Sequence, residues 1–245
     1  MTDAERGTGG DEALEPDPVA EARAKVVEAA LPHVAFDGWS DKTLSYAVEE
    51  ADVDPAISRL AFPRGGVDLA LAYHYACDDK LAEALTHADL LGLRFRDRIA
   101  HAVFMRLEML SSDREAVRRA AALFALPIYA PDGARAIWHT ADTIWTALGD
   151  DSRDYNWYTK RATLSGVYSA SLLYWLGDET LDMEATRAFI RRRIDDVMQF
   201  ESVKAKVAQN PFAAALLKGP QRILDRVRAP GDSGVTDLPG RWRRR

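Results

Sequence analysis

Apolar residues along this chain recur at intervals of three and four, block after block, and strand-like alternation is absent. Such spacing puts one apolar stripe on each of a series of helices. A chain built this way can bury its hydrophobic surface only by packing helix on helix, so an all-α fold is expected. The first helix covers about 18–35, before Asp37-Gly38. Ser40 can cap a second through Ala51. Asp54-Pro55 opens a short third, with proline at the first helical position, ending near Phe62-Pro63-Arg64-Gly65-Gly66. Long helical segments follow at about 67–88 and 92–110. Ser112-Asp113-Arg114-Glu115 reads as a capping box for a helix that stops at Pro127. Pro131-Asp132-Gly133 precedes a helix to about 148, and Gly149 to Arg153 form a loop. The helix over 154–176 should end in a left-handed cap at Gly177. Asp182 should cap a helix to about 208, and Pro211 begins a last apolar segment, broken at Gly219-Pro220.

These blocks divide into a disordered acidic leader over 1–17, a helix-turn-helix-like domain with connector helix over 18–88, and a helical bundle over 89–209. An amphipathic segment over 210–228 and a basic tail over 229–245 follow. With 245 residues, 47% of them hydrophobic and 29% charged, the chain is long enough for a sizeable core. No apolar run approaches the roughly 18 residues of a membrane-spanning helix. The one cysteine, Cys77, excludes an internal disulfide framework and fits a reducing compartment. Residues 1–20 hold six acids and one base, opposite to a mitochondrial presequence, so a bacterial cytoplasmic protein is expected. From Lys218 onward eight bases face three acids. That tail suits an anionic surface, phospholipid or nucleic acid, or is simply solvated.

The helix-turn-helix layout raises DNA binding, but Ser40 to Arg64 carries five acids against three bases. Phosphate contacts dominate DNA affinity and need cations. The short helix offers only Arg59 and Ser58 to base edges, so nucleic acid is not expected as a partner. Catalysis finds no support either. No two of the five histidines share the i, i+4 spacing of a helical zinc site, and there is no Glu-x-x-His. Asp97 with His101 and Glu83 with His87 read as helix-surface pairs. Arg94, Arg96 and Arg98 around Phe95 read as a charged face. No phosphate loop, nucleophile elbow or Cys-His pairing is present, so no catalytic residue, metal ligand or cofactor is assigned.

The aromatic content is concentrated in the bundle. Ile137, Trp138, Ile144 and Trp145 lie on one helix. Trp157, Leu164, Tyr168, Leu172 and Trp175 form a stripe on the next. Phe95, Ile99, Val103, Phe104, Leu107 and Leu110 come from the helix over 92–110, and Leu123 and Phe124 from the one after it. Small residues intervene on helix 154–176: Ala162, Ser165, Gly166, Ser169, Ala170 and Ser171. Small beside large leaves room for an apolar ligand; it equally permits tight helix contact or a subunit interface. Asp154-Tyr155-Asn156-Trp157-Tyr158-Thr159-Lys160-Arg161 sharpens the choice. Adjacent helix positions lie about 100° apart, so Trp157 and Tyr158 cannot both point at one core. Either Trp157 is core and Tyr158 spans a boundary, or the two form a partner-binding hot spot. Near the end, Phe212, Leu216, Leu217 and Lys218, followed by Arg222, Arg226 and Arg228, suit a membrane interface. They suit packing on the bundle equally well.

The motifs His33-Val34-Ala35-Phe36-Asp37-Gly38-Trp39-Ser40, Phe62-Pro63-Arg64-Gly65, Arg106-Leu107-Glu108-Met109-Leu110, Ala125-Leu126-Pro127, Ile144-Trp145, Gly149-Asp150 and above all the eight-residue block at 154–161 carry a resemblance. Phe189-Ile190 through Arg193 and Asp195-Asp196-Val197-Met198 continue it. The chain resembles the ubiquinone-biosynthesis accessory proteins, lipid-binding proteins with a fold like TetR-type repressors, from about Val34 to Met198. The resemblance implies a homodimer with a degenerate DNA-binding domain and an apolar cavity in the bundle for an isoprenoid quinone precursor or phospholipid. It also implies a non-catalytic role, presenting that cargo to the di-iron demethoxyubiquinone hydroxylase from the inner membrane surface. On this reading Phe104, Leu107, Phe124, Trp138, Trp145, Leu164, Tyr168 and Leu172 wall the cavity. Asp154, Asn156, Trp157, Tyr158 and Arg161 meet the hydroxylase, with Lys160 and Arg161 orienting it by charge. Phe212, Leu216, Leu217 and Lys218 touch the membrane, an assignment that rests on amphipathicity. The alternatives are a ligand-responsive TetR-type transcriptional regulator and an enzyme acting on quinone precursors.

Overall fold

Local capping chemistry sets the first helices of the computed structural model, which describes residues 17–208. Residues 1–16 of the expected leader, the amphipathic segment with Phe212, Leu216, Leu217 and Lys218, and the basic tail lie outside the described residues. Asp17 accepts a bond from the Val19 amide (3.0 Å) and opens α1 (Pro18–Asp37). Ser40 does the same for the Thr43 amide and opens α2 (Asp41–Glu50). Asp54, bonded to the Ala56 amide, opens α3 (Pro55–Ala61) behind Pro55. α4 (Gly66–His87) begins where only glycine fits. A Cβ on Gly66 would lie 2.5 Å from the Trp39 carbonyl oxygen, and the Gly66 amide donates to Asp41 Oδ1 at 3.0 Å. Gly65 beside it takes a left-handed φ of +64°.

Contacts divide the chain into two units, with the division inside α4 after Tyr73. In the first, α1 packs on α2 and α3. Val26, Ala30, Val34, Ala47, Ala61, Phe62 and Leu69 make its core, and Trp39 lies against Tyr73 with ring centroids 5.3 Å apart. Ser58, expected to face base edges, is buried. Lys42 pairs with Asp37 and Arg64 with Asp68. Arg59 is exposed on α3.

The second unit holds the rest of α4 with α5 (Phe95–Glu108), α6 (Arg114–Phe124), α7 (Ala130–Ala147), α8 (Tyr155–Leu176) and α9 (Glu184–Ala208). α7 packs on α8, and α9 on both α5 and α8. The described residues contain no strand. Ile99, Val103, Leu107, Ile144, Leu164, Tyr168, Trp175 and Ile190 fill the interior. An ion pair is buried among them. Arg106 Nε donates to Asp78 Oδ1 at 2.8 Å, with both side chains almost fully enclosed. His139 and Thr140 bond to the same carboxylate. Burial alone would raise the Asp78 pKa. The His139 and His74 hydrogen bonds and the Arg106 charge outweigh it and hold the carboxyl well below its usual range.

Four local expectations fail. The capping box at Ser112 does not form: residues Ser111–Asp113 make a 3₁₀ turn, and α6 has no side-chain cap. Glu115 is engaged instead by Arg118 and Arg119. Gly177 is not left-handed (φ −103°). The open carbonyls at the end of α8 are met by arginines of α6, with Arg114 donating to the Trp175 and Asp178 carbonyls and Arg118 to that of Leu176. Asp182 does not cap α9; it sits at φ +52° inside a 3₁₀ turn. Asp178 accepts from the Thr186 amide at 2.8 Å, and Thr180 Oγ1 accepts from Ala185. The helix expected from about residue 92 starts at Phe95, because a turn over 88–93 intervenes.

Candidate functional site

The start of α8 carries an aromatic cluster built from the bottom up. Asp154 caps the helix, accepting from the Asn156 amide at 3.0 Å and from the Asn156 side chain at 2.9 Å. That cap fixes the first turn, so Trp157 and Tyr158 leave the helix at consecutive positions. Both rings meet Trp138 of α7: Trp157 at 5.8 Å, Tyr158 at 6.4 Å between centroids. They meet each other edge to face at 4.8 Å. All three rings are half-buried. Neither reading of the pair holds in full, since Trp157 is not core and the two are not free side chains. Trp138 gives both a partner, and each ring stays partly exposed.

Arg161 is the correction here. It was expected on the surface, orienting a partner by charge, but its side chain is only 3% exposed. One turn beyond Trp157, it reaches inward to Asp142 of α7 (2.5 Å) and Asp150 of the preceding loop (2.9 Å). Its guanidinium lies 4.0 Å from the Trp157 ring centroid and donates to the Trp157 carbonyl. Lys160, also paired with Asp150, covers Trp145 at 5.2 Å. Burial would raise the Asp150 pKa. Bonds from Lys160, Ser152 and Arg161 outweigh that and hold it well below the usual range. The loop is thereby pinned to the helix it precedes. Sequence reasoning passed over Asp142 and noted Asp150 only within the Gly149-Asp150 motif; a loop Asp eleven residues before an arginine carries no local signal of a buried pair.

Beside the cluster, α7 and α8 leave a shallow, mainly apolar depression of about 490 Å³. Trp138, Ala134 and Ile137 line one side and Ala162, Ser165, Gly166 and Ser169 the other. Ser165 Oγ is buried without a hydrogen-bond partner among the described residues. The small residues noted in the sequence thus leave space, and Trp138 lines it. The rest of the expected cavity wall lies elsewhere. Leu107, Trp145, Leu164 and Tyr168 are enclosed in the core. Tyr168, bonded to Thr140, has its hydroxyl pushed up to about 12 by burial. Phe124 and Leu172 are half-buried. Phe104 lines a second groove of about 550 Å³ between α5 and α9, rimmed by arginines. Among the described residues no group of three His, Cys, Asp or Glu side chains is arranged to hold a metal ion, and no helix is long and apolar enough to cross a membrane.

An all-α chain with an N-terminal three-helix unit, a shared connector and a C-terminal bundle has the fold of the TetR class. A solved TetR transcriptional regulator from Nitrosomonas europaea superposes with a TM-score of 0.55 at 22% identity, over 73% of this chain and 97% of that one. Residues 130–201, which hold the aromatic cluster and the depression, match the COQ9 family model. The chain is a homologue of the COQ9 proteins. It is 31% identical to the mitochondrial ubiquinone biosynthesis protein COQ9 of Drosophila melanogaster over 73% of its length, 27% to that of Homo sapiens over 86%, and 30% to that of Xenopus tropicalis over 75%. It spans 56%, 68% and 60% of those relatives respectively.

Proposed function

We propose that this chain is a non-catalytic accessory protein of ubiquinone biosynthesis. It takes an isoprenoid quinone precursor, or a phospholipid in its place, as cargo and presents it to the demethoxyubiquinone hydroxylase. It works as a homodimer at the surface of the bacterial inner membrane. The carrying observation is the half-exposed cluster of Trp138, Trp157 and Tyr158 beside an apolar depression, both inside the segment that matches the COQ9 model. An isoprenoid tail is almost insoluble in water, and each Å² of apolar surface covered stabilises it by about 25 cal/mol. Trp138 and the small residues of α8 supply such cover. Trp157 and Tyr158, rigid and amphipathic, are suited to anchor a protein partner. Arg161 acts behind them by holding Trp157 and the 149–153 loop in place.

Native mass spectrometry of the purified protein, then organic extraction of what it carries, tests this. A dimer with bound isoprenoid quinone or phospholipid is expected. Empty protein that takes up nothing from quinone-loaded liposomes would overturn it. The TetR-like fold keeps a ligand-responsive regulator as a second reading. The acids of α2 and the burial of Ser58 weigh against it. A gel shift with the DNA upstream of its own gene would reveal it.

A further inference from the structure

Leu90-Leu91-Gly92-Leu93-Arg94-Phe95-Arg96-Asp97-Arg98 alternates apolar side chains with arginines where α4 passes into α5. Leu91, Leu93 and Phe95 are 89%, 39% and 48% exposed. Single exposed leucines are ordinary on a protein surface. Three within five residues, each followed within one or two positions by a glycine or an arginine, form a patch. The turn that displays them is built. The Leu90 amide donates to the Ala88 carbonyl, the Leu91 amide to Asp89 Oδ1, and the Leu93 amide to the Leu90 carbonyl. Gly92 takes a left-handed φ of +87°, and Arg98 Nε braces the turn from α5 by donating to the Leu93 carbonyl at 3.0 Å. These bonds hold Leu91 at the tip.

Behind the turn lies the α5–α9 groove of about 550 Å³. Arg94 and Arg96 stand on one side of it and Arg187 and Arg191 on the other, with Phe104, Ile190 and Ile194 below. Arg187 is held over the Phe104 ring at 3.7 Å. Asp97 and Asp195 face the same groove and engage Arg94 and Arg96 at 2.8 and 3.3 Å. Including Arg98 and Asp89, five arginines meet three aspartates, so the patch is cationic. Exposed apolar tips ringed by arginines match one kind of surface, where acyl chains lie just beneath phosphates.

We propose that the turn at 88–95 is a membrane-contact element. Leu91, Leu93 and Phe95 dip into the interfacial layer of an anionic phospholipid bilayer, and the arginines of the turn and groove bind headgroup phosphates. This goes beyond the cargo reading and does not need it, since a protein that yields no lipid on extraction can still dock here. The native Cys77 is buried, so a cysteine introduced by Leu91→Cys takes an environment-sensitive fluorophore selectively. In the full chain, vesicles of phosphatidylglycerol and phosphatidylcholine should shift its emission to the blue. Pure phosphatidylcholine should act more weakly, and about 0.5 M salt should reverse much of the effect. A label at Ile128, exposed on another loop, should not shift. Leu91→Ser with Leu93→Ser should weaken co-sedimentation about tenfold with unchanged circular dichroism. Three results would overturn the proposal: co-sedimentation with no shift at residue 91, equal response to neutral and anionic vesicles, or no binding to either.

Discussion

Arg161 does three things at once: it neutralises Asp150, bonds Asp142, and underlies the Trp157 ring. Replacing it with methionine leaves the enclosed Asp150 with Lys160 as its one cation, beside the Ser152 hydroxyl. Breaking a buried pair from one side typically costs about 3–5 kcal/mol, so thermal denaturation should show a large loss. Trp157→Ala should behave oppositely. Its ring is half-buried, so the melting temperature should change little while hydroxylase binding in a pull-down or calorimetric titration weakens. A melting loss as large as that of Arg161→Met would return Trp157 to the core. The Asp78 group offers a sign test. Its folded pKa is depressed, so its stabilisation is present above the unfolded value near 4 and fades as pH falls below that. His139 is shifted the other way, raised by its bond to Asp78. Its contribution is full below about 6.5 and is lost as pH rises through the raised value. Chemical denaturation across pH should show both limbs in the native protein. His139→Gln should remove the upper limb and keep the acid one.

At the scale of elements, α8 joins the site to the frame. One end is pinned by the Asp150 clasp, and the other is capped by the arginines of α6 rather than by its own glycine. Gly66 and Gly166 make a contrasting pair. A Cβ on Gly66 meets Trp39 and Ser40 backbone at 2.5 to 2.8 Å, whereas one on Gly166 meets nothing within 4 Å. Gly66→Ala should therefore destabilise by about 1–3 kcal/mol in urea unfolding. Gly166→Leu should preserve stability, since glycine is a poor helix former, and should fill the α7–α8 depression. Loss of quinone uptake by a stable Gly166→Leu protein would tie cargo to that depression; unchanged uptake would move the cargo elsewhere.

At the scale of the molecule, helix content was legible because a stripe at every third and fourth residue has one economical solution, the packed helix. The caps at Ser40 and Asp54 were legible too, since a cap spans three residues. The block at 154–161 stood out in the sequence because it combines an acid, adjacent aromatics and paired cations in eight positions. Deleting residues 211–245, proposed from their sequence to touch the membrane, should abolish liposome co-sedimentation; unchanged sedimentation would discard that assignment. What periodicity could not report was which of two similar aromatic stripes stays open. Trp145 and Tyr168 pack shut, while Trp138 keeps an edge at the surface, because burial depends on which helix lies opposite. Nor could it place Asp78 beside Arg106, or Asp142 and Asp150 beside Arg161, or send Arg114 to the end of α8. Local patterning determined the helices, their early caps and the resemblance to the COQ9 proteins. Long-range packing alone decided which charges are enclosed, which rings face outward and which carbonyls an arginine must reach, because those depend on residues brought together from 10 to 64 positions apart.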